Sequence, residues 1–232
     1  MPKPAPTEIV FIPALLCDEA LYRDVIATAG DAINAHVIIS PKPNLVDSVT
    51  DILAKAPPKF IVVGTSYGAN LALEVAFAAP DRVTGMWLMD FDPGAPKAGG
   101  PDLADGLNNQ PDAVIDMLAG VVVHQNHTKA AATFKAMAHR IGGKSGAAQA
   151  TALGTRADAT LRLGTLHIPA LIVWGKDDAL VPVSTGRKLA DDLPHAHFHT
   201  IPECGHLPTL EKPAEAAALL IDFLNDEPHH GH

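Results

Sequence analysis

Residues 60–79 read FIVVGTSYGANLALEVAFAA, and this stretch decides the fold class. It opens with an apolar run typical of a buried strand. The residues after the turn place Leu71, Val75 and Ala78 on one face at helical spacing. Only the turn GTSYG (64–68) separates the two patterns. The stretch therefore predicts a strand joined directly to a helix.

Five other apolar runs alternate with amphipathic segments along the chain, which is the pattern of parallel strands linked by helices. Because the runs are nearly continuous in apolar residues, we expect strands covered on both faces. The sequence predicts an α/β fold with a doubly wound, mostly parallel six-stranded sheet. The six predicted strands are EIVFIP (8–13), HVIIS (36–40), KFIVVG (59–64), VTGMWLMDF (83–91), ALIVWG (170–175) and AHFHTIP (196–202).

The interval from 93 to 167 is too long for a simple crossover between strands. It starts with the loop PGAPKAGGPD (93–102) and continues with helix-like stretches near Ala113–Val123, Lys129–Arg140 and Ala147–Leu163. We predict a single domain over residues 1–232, with a helical cap inserted at about 93–167.

Composition limits the classes of partner. The 232 residues are 47% hydrophobic and 19% charged, which suits one globular domain, and the net charge of −9 makes nucleic acids and anionic membranes poor partners. Neither a signal peptide nor a run of about 18 apolar residues is found, so we expect a cytoplasmic protein with a small-molecule substrate. Oligomeric state is not predicted, and the terminal EPHHGH (227–232) is interpreted as a solvated end.

The serine in the turn GTSYG is the strongest candidate for catalysis. A nucleophile between a strand and a helix adopts strained backbone angles, and small residues two positions before and after it relieve crowding. Gly64 and Gly68 occupy those positions around Ser66. The alternative is a glycine-rich turn with an ordinary serine, but the flanking strand and helix favour Ser66 as the nucleophile.

A serine hydroxyl needs a base within hydrogen-bond reach and a third group that orients the base. His206 lies in CGHLP (204–208), directly after the last strand-like run, at the sheet edge where ligands bind in α/β folds. A lone histidine there would be an ordinary surface residue, but the upstream turn favours His206 as the base. Four acids just beyond predicted strand ends compete for the orienting role: Asp90, Asp92, Asp177 and Asp178.

Metal and nucleotide sites are not expected. His195, His197 and His199 alternate along a strand, and His124 and His127 lie in the cap, but neither group has a carboxylate or cysteine at ligand spacing. We therefore predict no metal and no cofactor.

Two other patterns are set aside. GGKS (142–145) resembles the end of a phosphate-binding loop, yet position 138 is Ala where that loop needs Gly. Cys17 and Cys204 are expected as free thiols near the site, and neither has a base of its own.

The motifs GTSYG, WGKDDALVP (174–182), CGHLP and APDRV (79–83) together resemble the α/β-hydrolase superfamily over essentially the whole chain. Within it the chain is similar to the compact carboxylesterase and lactonase group. The resemblance implies Ser66, Asp178 and His206 as the catalytic triad in that order. It also implies an oxyanion hole made by the backbone N–H groups of Leu15 and Tyr67.

Two departures from the superfamily pattern matter. The usual N-terminal hairpin is missing, so the sheet should be trimmed and nearly all parallel. The loop after the first strand has Pro13-Ala14-Leu15 where His-Gly is usual, and alanine would resist a positive φ there.

The resemblance implies hydrolysis of a small carboxylic ester or lactone through an acyl-enzyme, without a cofactor. The same triad in this superfamily also serves carbon–carbon bond hydrolysis, hydroxynitrile lyase chemistry, acyl transfer and perhydrolysis. A non-catalytic ligand-binding member is a further alternative.

Overall fold

The computed structural model describes residues 5–97 and 102–226. Within them, six strands form one sheet in the order β2-β1-β3-β4-β5-β6, and every neighbouring pair is parallel. The strands are β1 (Thr7–Ile12), β2 (Ile33–Val37), β3 (Phe60–Thr65), β4 (Val83–Met89), β5 (Ala170–Gly175) and β6 (Ala196–Ile201). The predicted doubly wound, mostly parallel six-stranded sheet is confirmed, and every neighbouring pair among the described strands is parallel.

The central strands are buried because both faces of the sheet are covered. Every residue of β3 and β5 is buried, as expected for near-continuous apolar runs. One apolar layer holds α1 and α10, and the opposite layer holds α2, α3 and α8. The fold is therefore doubly wound. These helices are α1 (Arg23–Ala29), α2 (Leu45–Lys55), α3 (Tyr67–Ala78), α8 (Val183–Asp192) and α10 (Pro213–Asp226), with a short α9 (Pro208–Glu211).

Four helices lie between β4 and β5, in the segment that we call the cap. They are α4 (Leu103–Asn109), α5 (Pro111–Ala119), α6 (Thr128–Ile141) and α7 (Gly143–Gly154), followed by a 3-10 turn over Thr160–Thr165. The sequence did not predict α4. The helix predicted over Ala147–Leu163 begins and ends earlier, as α7. The start of α7 includes GGKS (142–145), so this motif is a helix start and not a phosphate loop.

Strand β2 was predicted at 36–40 and lies at Ile33–Val37. It is an edge strand, so it needs only one buried face, and its polar residues Asn34 and His36 both bond to Glu8 of β1. Ile38 and Ile39 lie beyond the end of the strand, although Ile38 N–H still donates to the carbonyl of Phe11 in β1. Part of the predicted 93–102 loop, residues 98–101, and the histidine-rich end at 227–232 lie outside the described residues.

None of the helices in the described part of the chain has the length and apolar character needed to cross a bilayer.

Candidate active site

Ser66 stands alone at the junction between β3 and α3. Its backbone φ is 56° and its ψ is −119°, in a region that residues with a Cβ rarely adopt. The strain is held in place on both sides, since Ser66 N–H donates to the carbonyl of Met89 in β4 and the helix begins at the next residue. This geometry lifts the hydroxyl out of the sheet edge.

Glycine is needed on both sides of Ser66. A Cβ on Gly64 would collide with the carbonyl of Gly68, and a Cβ on Gly68 would collide with the carbonyls of Ile12 and Pro13. The absence of these atoms lets α3 start directly against the loop after β1. The turn GTSYG therefore has the geometry that its spacing predicted.

Ser66, His206 and Asp178 form one chain of hydrogen bonds. His206 Nε2 lies 2.8 Å from Ser66 Oγ, and His206 Nδ1 lies 2.7 Å from Asp178 Oδ2. The side chain of Asp178 is fully buried and that of His206 is 5% exposed. The loops that carry these two residues touch at Gly175, where a Cβ would collide with the carbonyl of Gly205.

Asp178 is held as a carboxylate by several donors. Burial raises the pKa of this carboxyl, but its hydrogen bonds and the charge of His206 together outweigh burial, and the net pKa lies below its ordinary value. The N–H groups of Leu180 and Val181 add to this effect by donating to Oδ1 at 2.8 and 3.2 Å. Asp178 is therefore suited to orient His206 and to stabilise its imidazolium.

The other three candidate acids are placed differently. Asp177 is exposed, and the side chain of Asp92 is 27% exposed and faces Lys97. Asp90 is fully buried and lies beside Asp178. All four acids follow a strand, so their position in the sequence could not show which one orients His206. Burial and hydrogen bonding distinguish them.

The loop around His206 is held by a buried carboxylate that sequence reasoning missed. Glu211 Oε2 accepts from Gly205 N–H at 2.9 Å and Oε1 accepts from Leu207 N–H at 3.0 Å, so the residues on both sides of His206 are fixed. Oε2 also accepts from the cap residue His124 at 2.8 Å. The sequence signal was slight: a single acid placed five positions after the histidine.

The loop after β1 has its strain at a different residue from the one considered in the sequence. Ala14 does not have a positive φ; Leu16 does, at 62°. Leu16 N–H donates to Oε1 of Gln149 in α7 at 3.0 Å, and Gln149 is 2% exposed. A buried cap residue therefore fixes the loop, and alanine at position 14 is no obstacle.

The N–H groups of Leu15 and Tyr67 are both available for an oxyanion. Within the part of the chain that the structure describes, neither N–H has an acceptor. Tyr67 opens α3, so its N–H is also at the positive end of the helix dipole.

A small cavity of about 100 Å³ opens at Ser66 and His206. Leu15 and Leu180 line it from the sheet-edge loops. The cap contributes Leu103, Leu118, Val122, Phe134 and Leu153. Met117 and Val121 of the cap are exposed instead, and Met137 is packed in the core.

One set of side chains in the described residues is close enough to share a cation: Asp90, Asp178 and His206, whose ligand atoms lie within 4.8 Å of one another. Both ring nitrogens of His206 are already hydrogen-bonded, to Asp178 and Ser66. A cation at this point would have to displace one of these bonds. His197 and His199 lie exposed on the edge strand β6.

The comparison with protein families agrees with this geometry. The model of the alpha/beta hydrolase family matches residues 18–219. The chain belongs to the alpha/beta hydrolase family.

Among curated alpha/beta hydrolase relatives, the chain is 29% identical over 180 residues to 2-hydroxy-6-oxononadienedioate/2-hydroxy-6-oxononatrienedioate hydrolase 1 of Dechloromonas aromatica. The alignment covers 72% of this chain, and it spans 62% of the length of that relative.

Two solved structures have the same fold. An enol-lactonase from Burkholderia xenovorans matches with a TM-score of 0.86 and 17% identity, covering 97% of this chain and 94% of the other. A thermophilic esterase from Thermogutta terrifontis matches with a TM-score of 0.82 and 19% identity, covering 97% and 91%. At these identities the likeness supports the fold alone.

Proposed function

We propose that the chain is a serine hydrolase that cleaves small, uncharged carboxylic esters or lactones. The observation that carries the proposal is the continuous hydrogen-bond chain from Ser66 Oγ through His206 to the buried Asp178. Such a chain gives a hydroxyl a base within reach and gives the base a fixed orientation.

The proposed reaction has two halves. Ser66 Oγ attacks the carbonyl carbon while His206 Nε2 takes the hydroxyl proton. The carbon–oxygen bond to the leaving alcohol then breaks, and His206 returns the proton to that oxygen. Water attacks the acyl-enzyme with His206 again accepting a proton, and the proton returns to Ser66 as the acid leaves. Asp178 stays ionised and stabilises the imidazolium in both halves.

The negative charge on the carbonyl oxygen needs two donors. The N–H groups of Leu15 and Tyr67 suit this role, because each lacks an acceptor among the described residues and Leu15 lines the cavity beside Ser66. Preorganised donors of this kind contribute more than any other single term in many acyl-transfer enzymes. Gln149 supports the arrangement by holding the next N–H of the same loop, that of Leu16.

The cavity supports a small and uncharged acyl group. Its volume of about 100 Å³ is well below the roughly 300–1,000 Å³ of ordinary ligand pockets. Ser66 and His206 are its polar lining residues, and no lysine or arginine in the described residues lines it. A carboxylate placed there would lose its hydration without gaining a partner.

Carbon–carbon bond hydrolysis is the second candidate. It is favoured by the sequence likeness to the Dechloromonas aromatica protein, which is named for a dicarboxylate substrate. The apolar cavity favours the ester and lactone candidate, because a dicarboxylate would need a cation, and no lysine or arginine of the described residues lines the cavity.

The test is a comparison of turnover. Purified protein is assayed with p-nitrophenyl acetate, butyrate and octanoate, with small lactones, and with 2-hydroxy-6-oxononadienedioate, and Ser66→Ala serves as the matched control. We expect short esters or lactones to exceed the dicarboxylate in kcat/KM by at least about tenfold, and octanoate to be poor. Faster turnover of the dicarboxylate would favour carbon–carbon hydrolysis.

A covalent probe separates a hydrolase from a binding protein. A fluorophosphonate should add to Ser66 of the wild type and not to Ser66→Ala, as measured by intact-protein mass. Failure to label the wild type would contradict the proposed nucleophile.

A further inference from the structure

Asp90 is a buried acid that the proposed reaction does not use. It follows β4, is 0% exposed and has a backbone φ of 49°. Its Oδ1 accepts from Gly175 N–H at 2.9 Å, at the end of β5 and three residues before Asp178. The side chain thus links the ends of two neighbouring strands directly behind the proposed triad.

The second oxygen of Asp90 has no donor. Oδ2 is fully buried, and no hydrogen-bond donor reaches it from the described residues. A carboxyl oxygen of Asp90 lies within 4.8 Å of a carboxyl oxygen of Asp178, and the two groups interact. Both partners would be acceptors if ionised, so an ionised Asp90 would leave a buried charge facing a second carboxylate.

Two neighbouring acids disfavour a negative charge on Asp90. They are Asp178, from the loop after β5, and Glu211, from α9. His206 also lies within 4.8 Å, and it would favour an ionised Asp90 only while its imidazole carries a proton. The buried thiol of Cys204, which follows β6, also interacts with Asp90. Burial first, and then the charge of Asp178, raise the pKa of Asp90 well above its ordinary value.

We propose that Asp90 is a positioning residue that keeps its proton and donates it in a hydrogen bond from Oδ2 to the Asp178 carboxylate. This role rests on the proposed serine hydrolysis. The proton satisfies the one unpaired oxygen of Asp90. It also completes the donors around Asp178, which already accepts from His206, Leu180 and Val181. Two adjacent carboxyls then carry one charge, as close acid pairs do.

The consequence is a fixed protonation state for each of the two acids beside His206. Asp90 is neutral, Asp178 is ionised, and His206 receives the proton of Ser66. Because Asp178 is held by donors on every side, its Oδ2 stays aimed at His206 while the imidazolium forms. Asp90 acts only through Asp178 and does not touch the substrate cavity.

Asp90→Asn tests the protonation state, since an amide resembles the neutral acid. Its oxygen can accept from Gly175 and its NH₂ can donate to Asp178, and asparagine tolerates a positive φ. We expect kcat/KM within about threefold of the wild type, and an unchanged midpoint of the acid limb of the pH profile. A midpoint lowered by about one pH unit or more would show that a negative charge near His206 had been removed, and would overturn the proposal.

Asp90→Ala removes the donor while adding no charge. We expect kcat to fall by about 10- to 100-fold, with little change in KM. The matched control is Asp92→Asn, at the nearby acid that lies outside the chain of contacts, where activity should remain within about threefold. If Asp90→Ala proves poorly folded, Asp90→Asn still decides the question.

Stability against pH gives a readout that needs no substrate. A carboxyl whose folded pKa is raised contributes stability that is fully present below about pH 4 and is lost as the pH rises through the folded pKa. The melting temperature of Asp90→Asn, relative to wild type, should therefore increase between about pH 4.5 and pH 8. A difference that stays flat, or that decreases, over this range would mean that Asp90 is ionised in the folded protein, and it would overturn the proposal. If the wild type hydrolysed no ester, the proposed function would fail while this measurement still tested the proton.

Discussion

Replacing Glu211 with glutamine is the sharpest test of how the site is held together. Its carboxylate accepts from the N–H groups of Gly205, Leu207 and His124, and it is 6% exposed. The first two flank His206, and the third belongs to the cap. Glutamine has the same shape but only one acceptor oxygen, so it cannot satisfy all three groups.

The loss of unfolding free energy can be worked out from these contacts. The better rotamer of glutamine keeps its oxygen on Gly205 and His124 and turns its NH₂ toward Leu207 N–H. One charge-assisted bond is lost, at about 1.5–3 kcal/mol, and two more become neutral bonds at roughly 1 kcal/mol less each. We expect Glu211→Gln to lower the free energy of unfolding by roughly 3–5 kcal/mol. The protein should stay folded, because domains are stable by about 5–15 kcal/mol.

Activity should fall as well, since the freed loop carries the proposed base. A misplacement of about 1 Å costs roughly 100-fold in rate, so we expect kcat to fall by about 10- to 100-fold.

The measurements are urea unfolding and initial rates with p-nitrophenyl butyrate. Glu203→Gln is the matched control, because that side chain is exposed in the same loop, and it should change stability by no more than about 0.5 kcal/mol. If Glu211→Gln were as stable and as active as the control variant, the reasoning about the loop would be wrong.

Four further outcomes follow from the site. Ser66→Ala should reduce ester turnover by several orders of magnitude without lowering the melting temperature; more than a tenth of the wild-type rate would contradict it. Asp178→Asn should lower kcat by about 10⁴, whereas Asp177→Asn, at an exposed side chain, should leave it nearly unchanged. Prolonged EDTA treatment should leave kcat intact, and recovery of lost activity by zinc would show that a metal takes part. Burial raises the pKa of the Cys17 and Cys204 thiols, so a chromogenic disulfide reagent at pH 8 should label them only after unfolding, as followed by absorbance.

The parts of the fold that could be predicted are those with a local cause. The turn at Ser66 was predictable because strand, glycine spacing and helix all lie within 60–79. Ser66 follows β3, Asp178 follows β5 and His206 follows β6. Because parallel strands end at one edge of the sheet, the sequence could also predict that these three residues lie at the same edge. The contacts among these three residues stayed a prediction until the structure placed them within hydrogen-bond distance.

The parts that could not be predicted depend on contacts between distant residues. The start of α7 contains Gly143 and Gly146, which weaken a helix. At Gly146, a Cβ would collide with Leu16, so the glycine serves packing and not local propensity. Gln149 bonds to the loop after β1 across 133 positions, and Glu211 bonds to His124 across 87. A single sequence gives no signal for such pairs.

The choice of the orienting acid shows how far the sequence alone can predict the site. Asp90 and Asp178 both follow strands, both side chains are buried, and their carboxyl oxygens lie within 4.8 Å of each other. What distinguishes them is the number of donors: among the described residues, Asp178 accepts from two N–H groups and from His206, while Asp90 accepts from Gly175 alone. In a site with room for one negative charge, the proton goes to the acid with fewer donors. The acid that orients His206 is therefore set by the backbone of the loop after β5, and its buried neighbour is left to hold the proton.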